Sequence, residues 1–230
     1  MTQTPQIRGH DDKPLKPAFP FVVFDMDGTL VDTFNLIADA YDFAIGAPER
    51  QSARRRILTT QGRTLEEALA EGVPTSEVPQ AVERFHSHFE KNSVNMEVYP
   101  GVRDLLGHLR VRGVELAIFT GQTRRATDIT LERTGLRDFF SRIVTTNDVA
   151  EPKPSPEGLK LAMEGIGAVP ERTIYVGDDP DDVSASRSAG VRTAAALWGS
   201  IRRSELVALQ PDFIFTHPCE LHLLSTWSFL

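Results

Sequence analysis

Between residues 102 and 215 the chain switches repeatedly between two spacings of apolar residues, and few architectures accommodate that. Val102, Leu105, Leu106 and Leu109 recur at helical spacing, whereas Val114-Glu115-Leu116-Ala117-Ile118-Phe119 is a short, almost continuous apolar run. A run of that length, bounded by Gly113 and Gly121, reads as a strand buried on both faces. The alternation then continues. The pattern predicts a helix over 124–134 closed by Gly135, a strand over 142–145 and a helix over 156–164. Beyond these it predicts a strand over 173–177, a helix over 180–189 closed by Gly190, and strands over 193–197 and 213–215. Strands alternating with helices specify a doubly wound parallel sheet, a Rossmann-like α/β core.

One more buried strand stands earlier in the chain, at Phe21-Val22-Val23-Phe24. After it, residues 34–92 are helical in pattern, punctuated at Gly46, Gly62 and Gly72, with Val78, Val82, Phe85 and Phe89 marking one buried face. The expected organisation is a disordered leader over 1–19, a catalytic core over 20–32 and 98–230, and an inserted α-helical cap over 33–97.

Sheets of this kind present ligand-binding groups at the carboxyl ends of their strands. At those ends stand Asp25 and Asp27 in Asp-Met-Asp-Gly-Thr, then Thr120-Gly121, and later Gly177-Asp178-Asp179, with Lys153 following the strand over 142–145. A carboxylate can attack phosphorus to give an acyl-phosphate, and a second can protonate the leaving oxygen and later activate water. Asp25, Asp27 and Asp178, joined by Asp179 or Asp182, concentrate negative charge that calls for a cation, and oxygen donors suit Mg²⁺. Lys153 balances the remaining charge, while Thr120 and the backbone N–H groups after it can donate to a phosphoryl oxygen.

With these motifs in order, the chain resembles the haloacid dehalogenase-like hydrolase superfamily, close to its phosphoglycolate-phosphatase-like branch, over residues 21–224. The resemblance implies Asp25 as nucleophile, Asp27 as general acid and base, Thr120, Gly121 and Lys153 as phosphoryl-binding groups, and Mg²⁺ held by Asp25, Asp178 and the backbone carbonyl of Asp27. It implies that Asp182 supports Lys153 or the metal's waters. Asp179 lies where relatives often carry Ser or Thr, and a helix-capping role before Pro180 is expected for it. A carboxyl at position 27 suits a phosphate ester, whose leaving oxygen needs a proton, better than a halide.

The expected function is Mg²⁺-dependent hydrolysis of a small phosphorylated metabolite, phosphoglycolate-like, through an aspartyl-phosphate. A sugar phosphomutase, a pyrophosphatase and a non-catalytic binding module are the alternatives. Arg63, beside Gly62 in the cap, is the candidate to meet an anionic group of the substrate, against the plainer reading of a solvated surface Arg.

A formal charge of −7 argues against nucleic-acid or anionic-membrane partners, and Arg54-Arg55-Arg56 is too short a basic run to overturn that. Most of that run is expected on an outer helix face. Cys219 is the only cysteine, so no intramolecular disulfide forms. It is expected as a small buried residue in a reducing compartment, and with no signal-peptide core the expected location is cytoplasmic, as monomer or homodimer. His86 and His88, two apart on a helix, point to different faces and are expected to be solvated or partly packed.

Overall fold

The structure is a computed structural model, which describes residues 18–47, 53–60 and 62–225. Its centre is a six-stranded sheet of β1 (Phe21–Phe24), β4 (Glu115–Phe119), β5 (Arg142–Val144), β6 (Thr173–Gly177), β7 (Arg192–Ala196) and β8 (Phe213–Phe215). The spatial order is β5-β4-β1-β6-β7-β8 and every neighbouring pair is parallel. From β1 the chain builds outward through β4 and β5, then returns to the other side of β1 for β6, β7 and β8. That reversal opens a crevice at the carboxyl ends of β1, β4 and β6.

Why these runs are apolar throughout is visible in what each face meets. Val22 and Phe24, Leu116 and Ile118, and Ile174 and Val176 pack with Leu105, Leu106 and Leu109 of helix α5 (Val102–Val111) and with Leu131 of α6 (Arg124–Thr134). The alternate residues Val23, Ala117, Phe119 and Tyr175 turn to the other face, against Leu159, Ala162 and Met163 of α7 (Glu157–Gly165). Both faces are covered, so strand positions of either parity are buried, each large side chain contributing about 1.5–3 kcal/mol. Helices α8 (Pro180–Ala189) and α9 (Arg203–Ala208) complete the β6 to β8 half.

Between β2 (Val31–Asp32) and β3 (Glu97–Val98) the described residues form four α-helices: α1 (Phe34–Ala44), α2 (Ala53–Thr60), α3 (Leu65–Leu69) and α4 (Val78–Asn92). They share a cluster of Ile37, Tyr41, Ile57, Leu69, Ala81, Phe85 and Phe89 that also takes in Ala126 from α6. The two chain passages into and out of this helical unit are zipped together by the antiparallel pairs Val31↔Val98 and Asp32↔Glu97. That two-residue ladder has no sequence signature, because two residues establish no period.

Four expectations are corrected. Phe19, placed in the leader, is buried, its ring edge-on to Phe213 with centroids 6.0 Å apart; residues 1–17 of that leader lie outside the described residues. Cys219 is exposed, its Sγ 3.1 Å from Nδ1 of His217. His86 is buried rather than solvated, because α4 packs on α6 and its Nε2 meets Thr123 Oγ1 at 2.9 Å. Val78 and Val82 are only partly buried, since the α4 stripe is centred on Ala81, Phe85 and Phe89. His88 is half-buried and stacks on Phe43, while Arg56 turns inward to the buried Asp42, with Nε 2.8 Å from its carboxylate.

Candidate active site

At the end of β1 the chain turns sharply: Asp25 N–H still donates to Val176 O in β6 at 2.8 Å, and the next turn closes through Gly28 N–H to Val31 O at 2.9 Å. Gly28 has φ +80°, and a Cβ there would lie 2.4 Å from Asp178 Oδ2. Only glycine lets the β1 loop and the β6 loop approach so closely. Their approach brings the candidate residues of two separate motifs together.

Asp25, Asp178 and Asp182 are all buried, each offering a carboxylate oxygen within 4.8 Å of the others'. Lys153 Nζ sits between two of them, 2.8 Å from Asp25 Oδ1 and 2.8 Å from Asp182 Oδ1. Asp182 is engaged on both oxygens: Oδ1 also accepts from the Tyr175 hydroxyl at 3.0 Å, and Oδ2 from Asp179 N–H at 3.0 Å. Tyr175, from the middle of β6, also lies 2.9 Å from Phe119 O, and the Lys153 ammonium stands over both aromatic rings. Asp182, which accepts from Lys153 and from the Asp179 backbone, is the most heavily engaged of the three carboxylates and orients Lys153.

Asp25 and Asp178 differ from it. Asp25 Oδ1 is buried and meets the Lys153 ammonium at 2.8 Å, with no other donor to it among the described residues. Among the described residues Asp178 Oδ1 accepts the Thr29 hydroxyl alone, at 2.8 Å. Burial pushes the Asp25 carboxyl up to about 7 against the opposing pull of Lys153, and burial together with Asp25 and Asp182 raises Asp178 well above the usual carboxylate range. For Lys153 burial works against the charge, but Asp182 and Asp25 outweigh it and keep the ammonium protonated. One Lys cannot neutralise this many buried carboxylates, so a hard cation fits the open oxygens of Asp25 and Asp178.

Asp27 is only partly buried in the crevice and is held from two sides. Its Oδ1 accepts the Thr33 hydroxyl at 2.5 Å and its Oδ2 lies 3.4 Å from the Thr120 hydroxyl. Desolvation raises its pKa despite those donors. Thr120, fully buried just past β4, accepts from Gln122 N–H at 3.1 Å, and Gly121 follows it into the crevice. Asp179 caps α8, accepting from Asp181 N–H at 2.9 Å, and its carboxylate lies 3.6 Å from Arg202.

These groups and the helical unit enclose a cavity of about 160 Å³. Its floor holds Asp25, Asp27, Thr120, Lys153 and Asp178; its roof is Phe34, Ile37, Tyr41, Ile57 and Phe85. The α2–α3 turn closes one side, where a Cβ on Gly62 would stand 3.6 Å from Asp181 Oδ2. Arg63 lines that side but pairs with Glu71, both side chains being exposed. Sequence reasoning missed Thr29, Thr33 and Tyr175; the hydroxyls after Asp-Met-Asp were the one local signal for the first two.

A family model described as haloacid dehalogenase-like hydrolase matches residues 22–196. The chain belongs to that family. It is 32% identical over 194 residues to a protein of Oceanobacillus iheyensis named pyrophosphatase PpaX, covering 84% of this chain and 90% of the relative. A haloacid dehalogenase-like family hydrolase from Streptococcus pneumoniae superposes with a TM-score of 0.74 at 26% identity, over 90% of this chain and 98% of the other. A structure described as a predicted phosphoglycolate phosphatase from Haemophilus somnus superposes with a TM-score of 0.80 at 24% identity, over 90% and 98%, a likeness of fold. The chain is an enzyme, a phosphatase of this family. No described helix is long and apolar enough to cross a membrane.

Proposed function

We propose that this enzyme is a Mg²⁺-dependent phosphatase acting on a small phosphorylated metabolite through an aspartyl-phosphate on Asp25, with segment 33–97 serving as a cap over the core. The observation that carries the reading is the cluster of buried carboxylates, Asp25, Asp178 and Asp182, which shares the single ammonium of Lys153, already committed to Asp25 and Asp182. Asp25, Asp178 and the Asp27 backbone carbonyl would hold the cation, which when bound supplies positive charge to the phosphoryl oxygens.

Asp25 attacks phosphorus in line, and Lys153 offsets the charge on the transferred group. Asp27 gives its proton to the leaving oxygen; desolvation of its carboxyl keeps that proton available at higher pH than an ordinary Asp would. Thr120 and the N–H of Gly121 receive a phosphoryl oxygen. Once the leaving group departs, Asp27 takes a proton from water, which opens the aspartyl-phosphate.

The cavity carries its cations at the floor, in Lys153, and at one side, in Arg63, which favours a compact leaving group with an anion of its own. A phosphoglycolate-like ester has that form, with Arg63 exchanging Glu71 for the substrate's second anion. Pyrophosphate is the second reading, favoured by the likeness to the pyrophosphatase of Oceanobacillus iheyensis. The single cysteine agrees with a cytoplasmic enzyme.

Phosphate release from phosphoglycolate, pyrophosphate, a hexose phosphate and an aryl phosphate, with Mg²⁺ and with excess chelator, tests the proposal. The expected result is Mg²⁺-dependent release, fastest from a compact dianionic substrate. Undiminished release in chelator removes the metal reading, and isomerised hexose phosphate ahead of free phosphate would make the enzyme a mutase.

A further inference from the structure

The loop after β7, Leu197-Trp198-Gly199-Ser200, carries none of the catalytic groups, yet it is the segment against which the β1 loop rests. Gly199 lies so close to Gly28 that a Cβ on it would stand 1.8 Å from the Gly28 carbonyl oxygen and 2.6 Å from the carbonyl carbon. That obstacle is backbone, which cannot rotate aside. Next to it the Trp198 indole N–H donates to Thr29 O at 2.9 Å. Thr29 in turn donates through its hydroxyl to Asp178 Oδ1 at 2.8 Å, in a pocket where Thr29 itself is fully buried. Three residues beyond Gly199, Arg202 lies 3.6 Å from the carboxylate of Asp179.

We propose that the Trp198-Gly199 loop is a positioning element for the cation site, setting the distance between the Asp25–Asp27 loop and Asp178 through Gly28 and Thr29. This role presupposes the cation held by Asp25 and Asp178. Two carboxylates on different loops hold a small ion tightly only if their oxygens are kept at the right separation, because Mg²⁺ tolerates little departure from short, regular coordination. Gly28 and Thr29 are the residues through which the β1 loop touches Asp178, one by backbone closeness and one by a hydrogen bond. Both are seated from behind by the same dipeptide. Moving Gly199 outward by a methyl group shifts Gly28 against Asp178, and removing the indole N–H frees the Thr29 carbonyl so that its hydroxyl loses registry with Asp178. Groups that orient ligands in this way typically change metal affinity by about 10–100-fold when altered.

The test is calorimetric titration of MgCl₂ into chelator-stripped full-length protein, for the wild type, Trp198→Phe and Gly199→Ala. Trp198→Phe keeps an aromatic ring and removes only the donor, so it remains informative if Gly199→Ala does not fold. The chain has two tryptophans, and a Trp227→Phe background makes indole emission a second readout from Trp198 alone. The expected result is a Kd for Mg²⁺ raised about 10-fold in Trp198→Phe and more in folded Gly199→Ala, with the metal-free melting temperature of Trp198→Phe close to wild type, and an emission change on adding Mg²⁺. Wild-type Mg²⁺ affinity in Trp198→Phe overturns the proposal, and a lowered melting temperature with unchanged affinity overturns it too by making the loop a packing contact. If the wild type itself takes up no Mg²⁺, the cation reading fails first and this inference with it.

Discussion

Lys153 and Arg63 line the same cavity as its two long cations, but Lys153 is wedged between the buried carboxylates of Asp25 and Asp182, whereas Arg63 holds Glu71 in water. The Lys153 side chain is 9% exposed and that of Arg63 41%. A buried pair cannot trade partners with solvent, so its geometry is held and removing one member strands the other. An exposed pair contributes about 0–1 kcal/mol and is easily exchanged. The core edge is thus built for one chemistry, and the helical unit offers a contact that a ligand can displace.

The largest expected effect lies at the floor. Asp25→Asn keeps the shape of the side chain and removes the nucleophile, so turnover should fall at least about 10⁴-fold while the circular dichroism spectrum stays that of the wild type. Near-normal phosphate release from the folded variant would sink the covalent route.

Next comes the direct contrast between the two cations. Lys153→Met leaves Asp25 and Asp182 facing each other without a counter-ion and should cost about 3–5 kcal/mol in urea unfolding at pH 8. Arg63→Met should cost less than about 0.5 kcal/mol in the same assay. Equal losses would erase the distinction between the two regions.

A smaller effect concerns pH in the metal-free enzyme. Asp25 titrates at about 7 in the folded state against an ordinary value of 3.8, so between these the folded state retains a proton that the unfolded chain has released. Its stabilising contribution is complete below pH 3.8 and declines as pH rises to about 7, and Asp178 and Asp179, also raised by burial, act in the same direction. Chelator-treated protein should therefore lose about 2 kcal/mol between pH 5 and pH 7.5, read as a fall of several degrees in Tm. Added Mg²⁺ should restore more at the higher pH. A Tm that rises across this window contradicts the uncompensated charge.

The smallest effect is at the exchangeable cation. Arg63→Ala should reduce kcat/KM by about 1.5–2 kcal/mol for a compact substrate with a second anion and leave an aryl phosphate almost unchanged. Parallel losses on both substrates would mean that the variant disturbs the α2–α3 turn rather than a contact.

The buried strands were legible because a parallel sheet covered on both faces needs near-continuous apolar runs, and Val22-Val23-Phe24 and Ile174-Tyr175-Val176 are buried at every position. Asp25, Thr120 and Asp178 were legible for a related reason, since each is the first polar residue after such a run. The burial of His86 was hidden: its partner Thr123 caps another helix, and the solvent exclusion comes from α4 lying on α6. Tyr175 read as strand filling because nothing near it in sequence announces that its hydroxyl will reach Asp182.

By itself the sequence determined the order of strands and helices, the edge of the sheet that carries the chemistry, and the residue types available there, because periodicity and turn residues act over a few positions. Tertiary structure alone decided which carboxylates stay open and which are spent. Asp182 meets Lys153, Tyr175 and the Asp179 backbone, while Asp178, just four residues earlier, meets among the described residues the hydroxyl of Thr29 alone. Those partners come from distant strands and loops. Hydrogen-bond saturation, burial and the resulting pKa shifts depend on separations of a few ångströms that only the closed sheet and its packed loops establish.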